Sequence, residues 1–345
     1  TNGTFTFSNL DAVVRASNVW ITRGTVTHVT NSATTTNGVG EWPIDGRVYF
    51  QCTNFYLASP GKIDVSDRGW RTKTNLSSKG YGPGAGTNGG AGGYGGYGGN
   101  YSDGGGRPYG NVAKPDQPGS GAGPGSSAAG IGAGGGLVWS DAAGGTVSIN
   151  GPILANGTGP VRYAGSGGGI WITCGTLVAT NGSITANGGD ATATSGQQSS
   201  GGGGRISVNY GALVEPVGLT IQASRGDNAS YYGDIGTVYL PDTRLFRENW
   251  NHIEGEVHGP NSWEPNNMTV SNTWIRLAEE GFTLAVSNNL TIAGASALLE
   301  IGGGHLVRTN GFLDKVLSEV PAAGNMTALP HYSTATSAIT CGGNL

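Results

Sequence analysis

The chain has 345 residues, of which 66 are glycine, with 12% charged and 36% hydrophobic residues, a balance that excludes both a charged disordered tail and an ordinary helical globule. A formal charge of -4 with a pI near 5.7 gives no electrostatic reason to approach nucleic acid. No apolar run reaches the ~20 residues of a spanning helix, so membrane insertion is not expected.

Thr, Ser, Asn, Val and Ile carry most of the non-glycine content, which favours strands and turns over helices. The chain opens at Thr1 with no Met or signal-like segment, as in a processed chain. The first clear unit is GRVYFQCTNFYLASPGKIDVSDRG at 46–69, in which three short strands lie between glycines. The stretch at about 80–136 then interrupts the pattern, with Gly dominating and Tyr94, Tyr97, Tyr101 and Tyr109 interspersed. Two readings stay open for it: a flexible loop, favoured by the entropy that ordered glycine loses, or an ordered layer of extended, polyproline-II-like segments whose gaps the tyrosines fill.

The frame returns in GGLVWSDAAGGTVSINGPILANG at 135–157, GGIWITCGTLVATNGSITANGGD at 168–190 and GGRISVNYGALVEPVGLTIQASRGD at 203–227, and more loosely in FTLAVSNNLTIAGASALLEIGG at 282–303. Its first and last strands, Val48 to Ile63, Leu137 to Ile153, Ile170 to Ile184 and Ile206 to Ile221, stand 15, 16, 14 and 15 residues apart. First strands at Leu137, Ile170, Ile206 and Val238 recur after 33, 36 and 32 residues, a period suited to stacked solenoid turns. An antiparallel sandwich also has short strands but has no reason to repeat one three-strand frame. Alternation within strands, as in Val48-Phe50-Cys52, Ile170-Ile172-Cys174 and Ile206-Val208-Tyr210, directs one face inward.

Residues 243–266 break the glycine pattern with charge and Trp and read as a linker or irregular segment. Residues 267–345 read as carboxyl-terminal β coils resembling the amino-terminal region, since Met268 to Asn272 echoes Phe5 to Asn9. The expected division is therefore 1–242, with its glycine-rich insertion, then 243–266 and 267–345. Matching ends with no capping helix in view favour a head-to-tail homo-oligomer or filament.

The segments GGGIWITCGTLVATNGSITANGGDA and GGGGRISVNYGALVEP resemble the glycine-rich repeats of large bacterial cell-surface and adhesin-like proteins with a pectin-lyase-like fold, over residues 46–242. The resemblance implies an all-β, right-handed parallel β-helix and says little about activity.

The chemistry follows the same course. Asp64, Asp67, Asp190 and Asp227 sit at or just after the third strand, with Arg68 and Arg225 nearby, but turn aspartates commonly bond their own backbone. His28, His252, His258, His305 and His331 share no metal spacing, and the GAGTNG at 84–89 lacks a strand-to-helix context. No enzyme activity and no cofactor are expected. Cys52 and Cys174 share an inward frame position and act as small hydrophobes, able to pair only if their coils stack directly; Cys341 is the better candidate for an intermolecular bond or a pairing with one of them, with a free thiol the simplest case. Tyr49, Trp171 and Tyr239 share an outward position, suited either to stacking on glycans or to covering the glycine insertion. Nine N-glycosylation sequons, at Asn2, Asn75, Asn100, Asn156, Asn181, Asn228, Asn267, Asn289 and Asn325, fit an extracellular or cell-surface protein. The expected function is structural or adhesive, with polysaccharide binding or degradation as the alternative.

Overall fold

The structure is a computed structural model that describes residues 3–71, 79–125, 132–159, 162–192, 198–227, 229–302 and 338–341. It is all-β, built on long parallel sheets. Among the described residues the one helical element is a single 3-10 turn at Tyr101–Asp103, and no helix is long and apolar enough to cross a membrane.

Each passage of the chain adds one strand to each of two parallel ladders. The first runs through β1 (Thr4–Phe7), β3 (Thr25–His28), β5 (Lys62–Asp64), β7 (Pro152–Leu154), β9 (Ser183–Thr185) and β11 (Thr220–Gln222). The second runs through β2 (Val14–Ile21), β4 (Val48–Ala58), β6 (Leu137–Asn150), β8 (Gly169–Val178), β10 (Arg205–Val214) and β12 (Thr237–Tyr239). Like residues align across passages because one inward position recurs in each. Val26, Ile63, Ile153, Ile184 and Ile221 form one buried column, and Val48, Val138, Ile170, Ile206 and Val238 form another. Each such side chain leaves water for the core, worth about 1.5–3 kcal/mol.

The register differs at one point from the expected frame. Val138, not Leu137, faces Ile170, and Leu137 faces Gly169. With Val138 as the start, the distance to Ile153 becomes 15 residues, in line with its neighbours. The extra length in β6 is absorbed by irregularities between Gln51 and Asn54 of β4 and between Ala142 and Thr146 of β6.

The segment expected as a linker or irregular segment carries three paired strands. Residues 243–266 carry β13 (Asn249–Trp250), β14 (Ile253–His258) and β15 (Ser262–Trp263). Trp250, Ile253 and Val257 are buried, which supplies the core that glycine does not. β14 ends the first ladder at Ile221↔Ile253 and continues the second at Val238↔Val257. The strand turns between those two roles at Gly255, whose φ of +144° lies outside the range of ordinary side-chain-bearing residues. Beyond it the passages shorten. β17 (Trp274–Leu277) and β20 (Leu298–Ile301) extend the second ladder, while β16 (Met268–Ser271) and β19 (Leu290–Ala293) stack on β13, and β18 (Thr283–Val286) and β21 (Ala338–Cys341) on β15.

At this junction the second ladder becomes polar. Arg276, 1% exposed, bonds Glu256 at 2.8 Å, Glu300 at 2.9 Å and Asp234 at 3.2 Å. Glu256, Arg276 and Glu300 are register neighbours, so charges alternate in sign along the stack.

The glycine-rich insertion is largely buried and hydrogen-bonded to the passages beside it. Segment 164–169 sets the pattern. Ala164 and Gly167 donate their N–H to Ser199 and Gly202, Gly165 and Gly168 to Thr158 and Ala155, and Ser166 and Gly169 to Ser120 and Gly136. Donors thus turn through three directions with a period of three, the third met by Ser120 of the insertion and Gly136 beside β6. Tyr94 and Tyr163 are fully buried between the segments, and Tyr94 packs on Tyr109 at 4.6 Å. A Cβ on Gly165 would overlap the backbone of Ala133 and Gly134, whereas one on Gly144 would meet nothing within 4 Å.

Gly165→Ala is expected to lose roughly 1–3 kcal/mol in urea unfolding, while Gly144→Ala is neutral or gains up to about 1 kcal/mol. A second expectation concerns His28, 1% exposed. It donates from Nδ1 to Val29 O at 2.6 Å and accepts at Nε2 from Leu137 N at 3.0 Å. Burial pushes its pKa down to about 4, and that of His252 likewise. Each imidazole binds a proton in the unfolded chain near pH 6.5 but not in the fold. Its stabilisation is present above pH 6.5 and is lost as pH falls toward 4, by about 3 kcal/mol each. Asp234, pushed up to about 6 by burial, acts oppositely and adds stability as pH falls from 6 toward its ordinary value. Comparing His28→Gln with the parent isolates the imidazole: the variant's urea midpoint falls less between pH 7 and pH 4.5.

Candidate functional site

Two surface features gather the residues singled out in the sequence. The first is a groove of about 680 Å³ along the ends of the first ladder, lined among others by Asn156, Asn187, Asp190, Asp227, Glu254 and Trp274. A polar column three residues past each buried isoleucine, Ser66, Asn156, Asn187 and Ser224, supplies three of its lining residues, Asn156, Asn187 and Ser224. Asn187 N donates to Asn156 Oδ1 at 2.8 Å and Ser224 N to Asn187 Oδ1 at 3.0 Å. Asn156 N reaches Ser66 Oγ at 3.3 Å. Sequence reasoning missed this column, although the recurrence of Asn or Ser at a fixed offset from Ile63, Ile153, Ile184 and Ile221 is its signal.

The aspartate column divides. Asp190 and Asp227 do come together, with Asp227 N donating to Asp190 Oδ1 at 2.8 Å. Asp64 is instead held by Lys62 at 2.8 Å and Asp67 by Arg71 at 2.5 Å. Arg68 bonds Thr30 Oγ1 at 3.0 Å, while Arg225 lies over the rings of Tyr232 and Trp274 at 4.3 and 5.2 Å. Glu254, which sequence reasoning also missed, has its carboxyl pushed up by burial and by Asp227, against a hydrogen bond from Ser224 and the charge of Arg225.

The second feature is the outward aromatic column on the second ladder. Tyr49, Trp139 and Trp171 are register neighbours, with ring centroids 5.5 and 5.3 Å apart. Trp139 escapes notice when Leu137 is taken as the strand's first inward residue. Tyr239 stands apart, because Ser207 intervenes between it and Trp171. The faces of these rings are in contact with cations: Arg47 over Tyr49 and Trp139 at 4.7 and 4.2 Å, and Lys114 over Trp139 and Trp171 at 4.9 and 4.6 Å. The strap around Lys114 is bonded to the same face, through Trp139 Nε1 to Pro115 O at 2.8 Å and Ser207 Oγ to Ala113 O at 2.6 Å. These contacts match the alternative in which the aromatics carry the insertion.

Cys52 and Cys174 do not meet. Ala142 of β6 faces Cys174, and Cys52 lies in the irregular part of β4 one passage earlier; both are free thiols, and burial pushes them up to about 11 and about 12. Cys341 lies in β21. Of the sequon asparagines, Asn181 and Asn289 are exposed and Asn100 and Asn267 half-buried. Asn156 is half-buried, and its Oδ1 accepts from Asn187 N. Asn2, Asn75, Asn228 and Asn325, with His305 and His331, lie outside the described residues. Of the other histidines, His28 and His252 are buried and His258 contacts Glu256 at 2.9 Å.

No family model matches the chain, and no curated protein or solved structure matches it.

Lys114→Ala is expected to free the strap without unfolding the ladders. Limited proteolysis should cut faster within 107–118, Trp139 and Trp171 emission should shift, and the urea midpoint should fall by the equivalent of about 0.5–1 kcal/mol. An unchanged cleavage rate would contradict a clamping role for Lys114.

Proposed function

We propose that the chain is a right-handed parallel β-helix with a polyproline-II-like glycine layer, serving as a structural or adhesive component outside the cell and assembling head to tail, without enzymatic activity. The in-register ladders support the helix, because each passage returns to stack on the one before it. Crossovers between parallel strands of one sheet are right-handed in nearly all proteins, and the three-residue period of the amide donors is that of polyproline II. Exposed Asn181 and Asn289 suit a glycosylated, extracellular surface.

Assembly is supported by the edges of the first two strands. Among the described residues β1 pairs only with β3 and β2 only with β4, and Phe5 and Trp20 beside these edges are 52% and 64% exposed. A parallel edge of this length is a template for another strand. Concentrated protein should form rods in electron micrographs and a growing particle by light scattering. Phe5→Lys should abolish both and leave the circular dichroism unchanged; strictly monomeric parent protein would contradict assembly.

Polysaccharide binding is the second reading, and the groove of about 680 Å³ favours it. That volume is typical of ligand sites, and amides, hydroxyls and carboxylates beside an aromatic ring are the groups that hold sugars.

A further inference from the structure

The groove takes residues from six successive passages, with Asn156, Asn187, Ser224, Glu254, Thr273 and Ala297 each marking one. At the ~4.8 Å spacing of adjacent strands this row is roughly 24 Å long. A trough of that length crossing the strands suits a linear polymer better than a compact metabolite.

The lining is also sided in charge. Among the described lining residues the exposed carboxylates Asp190 and Asp227 stand against one cation, Arg225, with the more buried carboxyl of Glu254 beside them. Asp190 and Asp227 are exposed, with carboxylates that a ligand reaches directly. Arg225 is drawn down onto the rings of Tyr232 and Trp274. Along the polar column, Asn156 and Asn187 spend their amide oxygens on backbone N–H groups of the next passage. Their Nδ2 groups are the ends left to serve a ligand's oxygens. The site thus combines amide donors for hydroxyls and acetamido carbonyls with carboxylates for ammonium groups, and it repels carboxylated or sulfated chains.

We infer that this groove binds a linear polysaccharide that is neutral or carries amino groups, and that it discriminates against uronate polymers. The inference rests on the polysaccharide reading above and adds the charge class of the ligand.

The test is calorimetric titration of the full chain, at mildly acidic pH, with equal-length oligomers of glucosamine, N-acetylglucosamine and galacturonate. The glucosamine oligomer should bind at least about tenfold more tightly than the galacturonate oligomer, with the N-acetylated one between them. Added salt should narrow the gap. Asp190→Asn combined with Asp227→Asn preserves the acceptor that Asp227 N uses, and should weaken glucosamine binding about fivefold, the sum of two exposed charge contacts. Galacturonate binding as tightly as glucosamine would overturn the charge class and leave the polysaccharide reading standing. Glucosamine binding undiminished in the double variant would overturn the groove as the site. Absence of binding by all three oligomers would overturn both readings.

Discussion

Everything in this molecule depends on how closely its glycine backbones approach one another. When one segment's amides turn in three directions in succession, each neighbour sits where a side chain would stand, and only hydrogen atoms fit between. Segment 164–169, bonded to Ser199 and Gly202, to Thr158 and Ala155, and to Ser120 and Gly136, is the clearest instance. Ordering so much glycine costs conformational entropy. The offset comes from backbone groups satisfied in a dry interior, where each would be costly to leave unmade.

This layer and the two ladders support each other. The ladders set the passages in register through columns such as Ile63, Ile153, Ile184 and Ile221, and that register lets glycine segments from different passages meet at matching heights. In return Lys114 of the insertion lies over Trp139 and Trp171 on the outer face of the second ladder, where Arg47, beside β4, lies over Tyr49 and Trp139. From about Trp250 onward glycine becomes sparse, the passages shorten past Gly255, and buried Trp250, Met268 and Phe282 take over the core. The groove runs across this change, with Asn156 and Asn187 on one side of it and Trp274 on the other.

Much of the ladder was legible, because inward residues of a stacked strand recur at fixed intervals. The frame through Ile170 and Ile206 is the observed register. It slips by one residue at Leu137, where two apolar residues adjoin and alternation alone cannot choose between them. Residues 243–266 looked irregular because glycine marks the earlier turns and is scarce there, yet Ile253 and Val257 pair as their predecessors do. The site was less legible. Asp190 and Asp227 share a frame position and do meet, whereas Asp64 and Asp67 lie at other offsets and are taken by Lys62 and Arg71. Glu254 and Trp274 belong to the shorter passages, so no repeat connects them to the groove. The order of the insertion could not be read from composition, since flexible linkers and packed glycine layers use the same residues.

The most direct test of this account is native-state hydrogen exchange across the glycine segments. The amides of Gly92, Ser166 and Gly202, bonded to Ala164, Ser120 and Gly92 in turn, should be protected to the same degree as those of Ile170 and Ile206 in the ladder. Exchange at the rate of an unstructured glycine chain, with the ladder amides still protected, would contradict it.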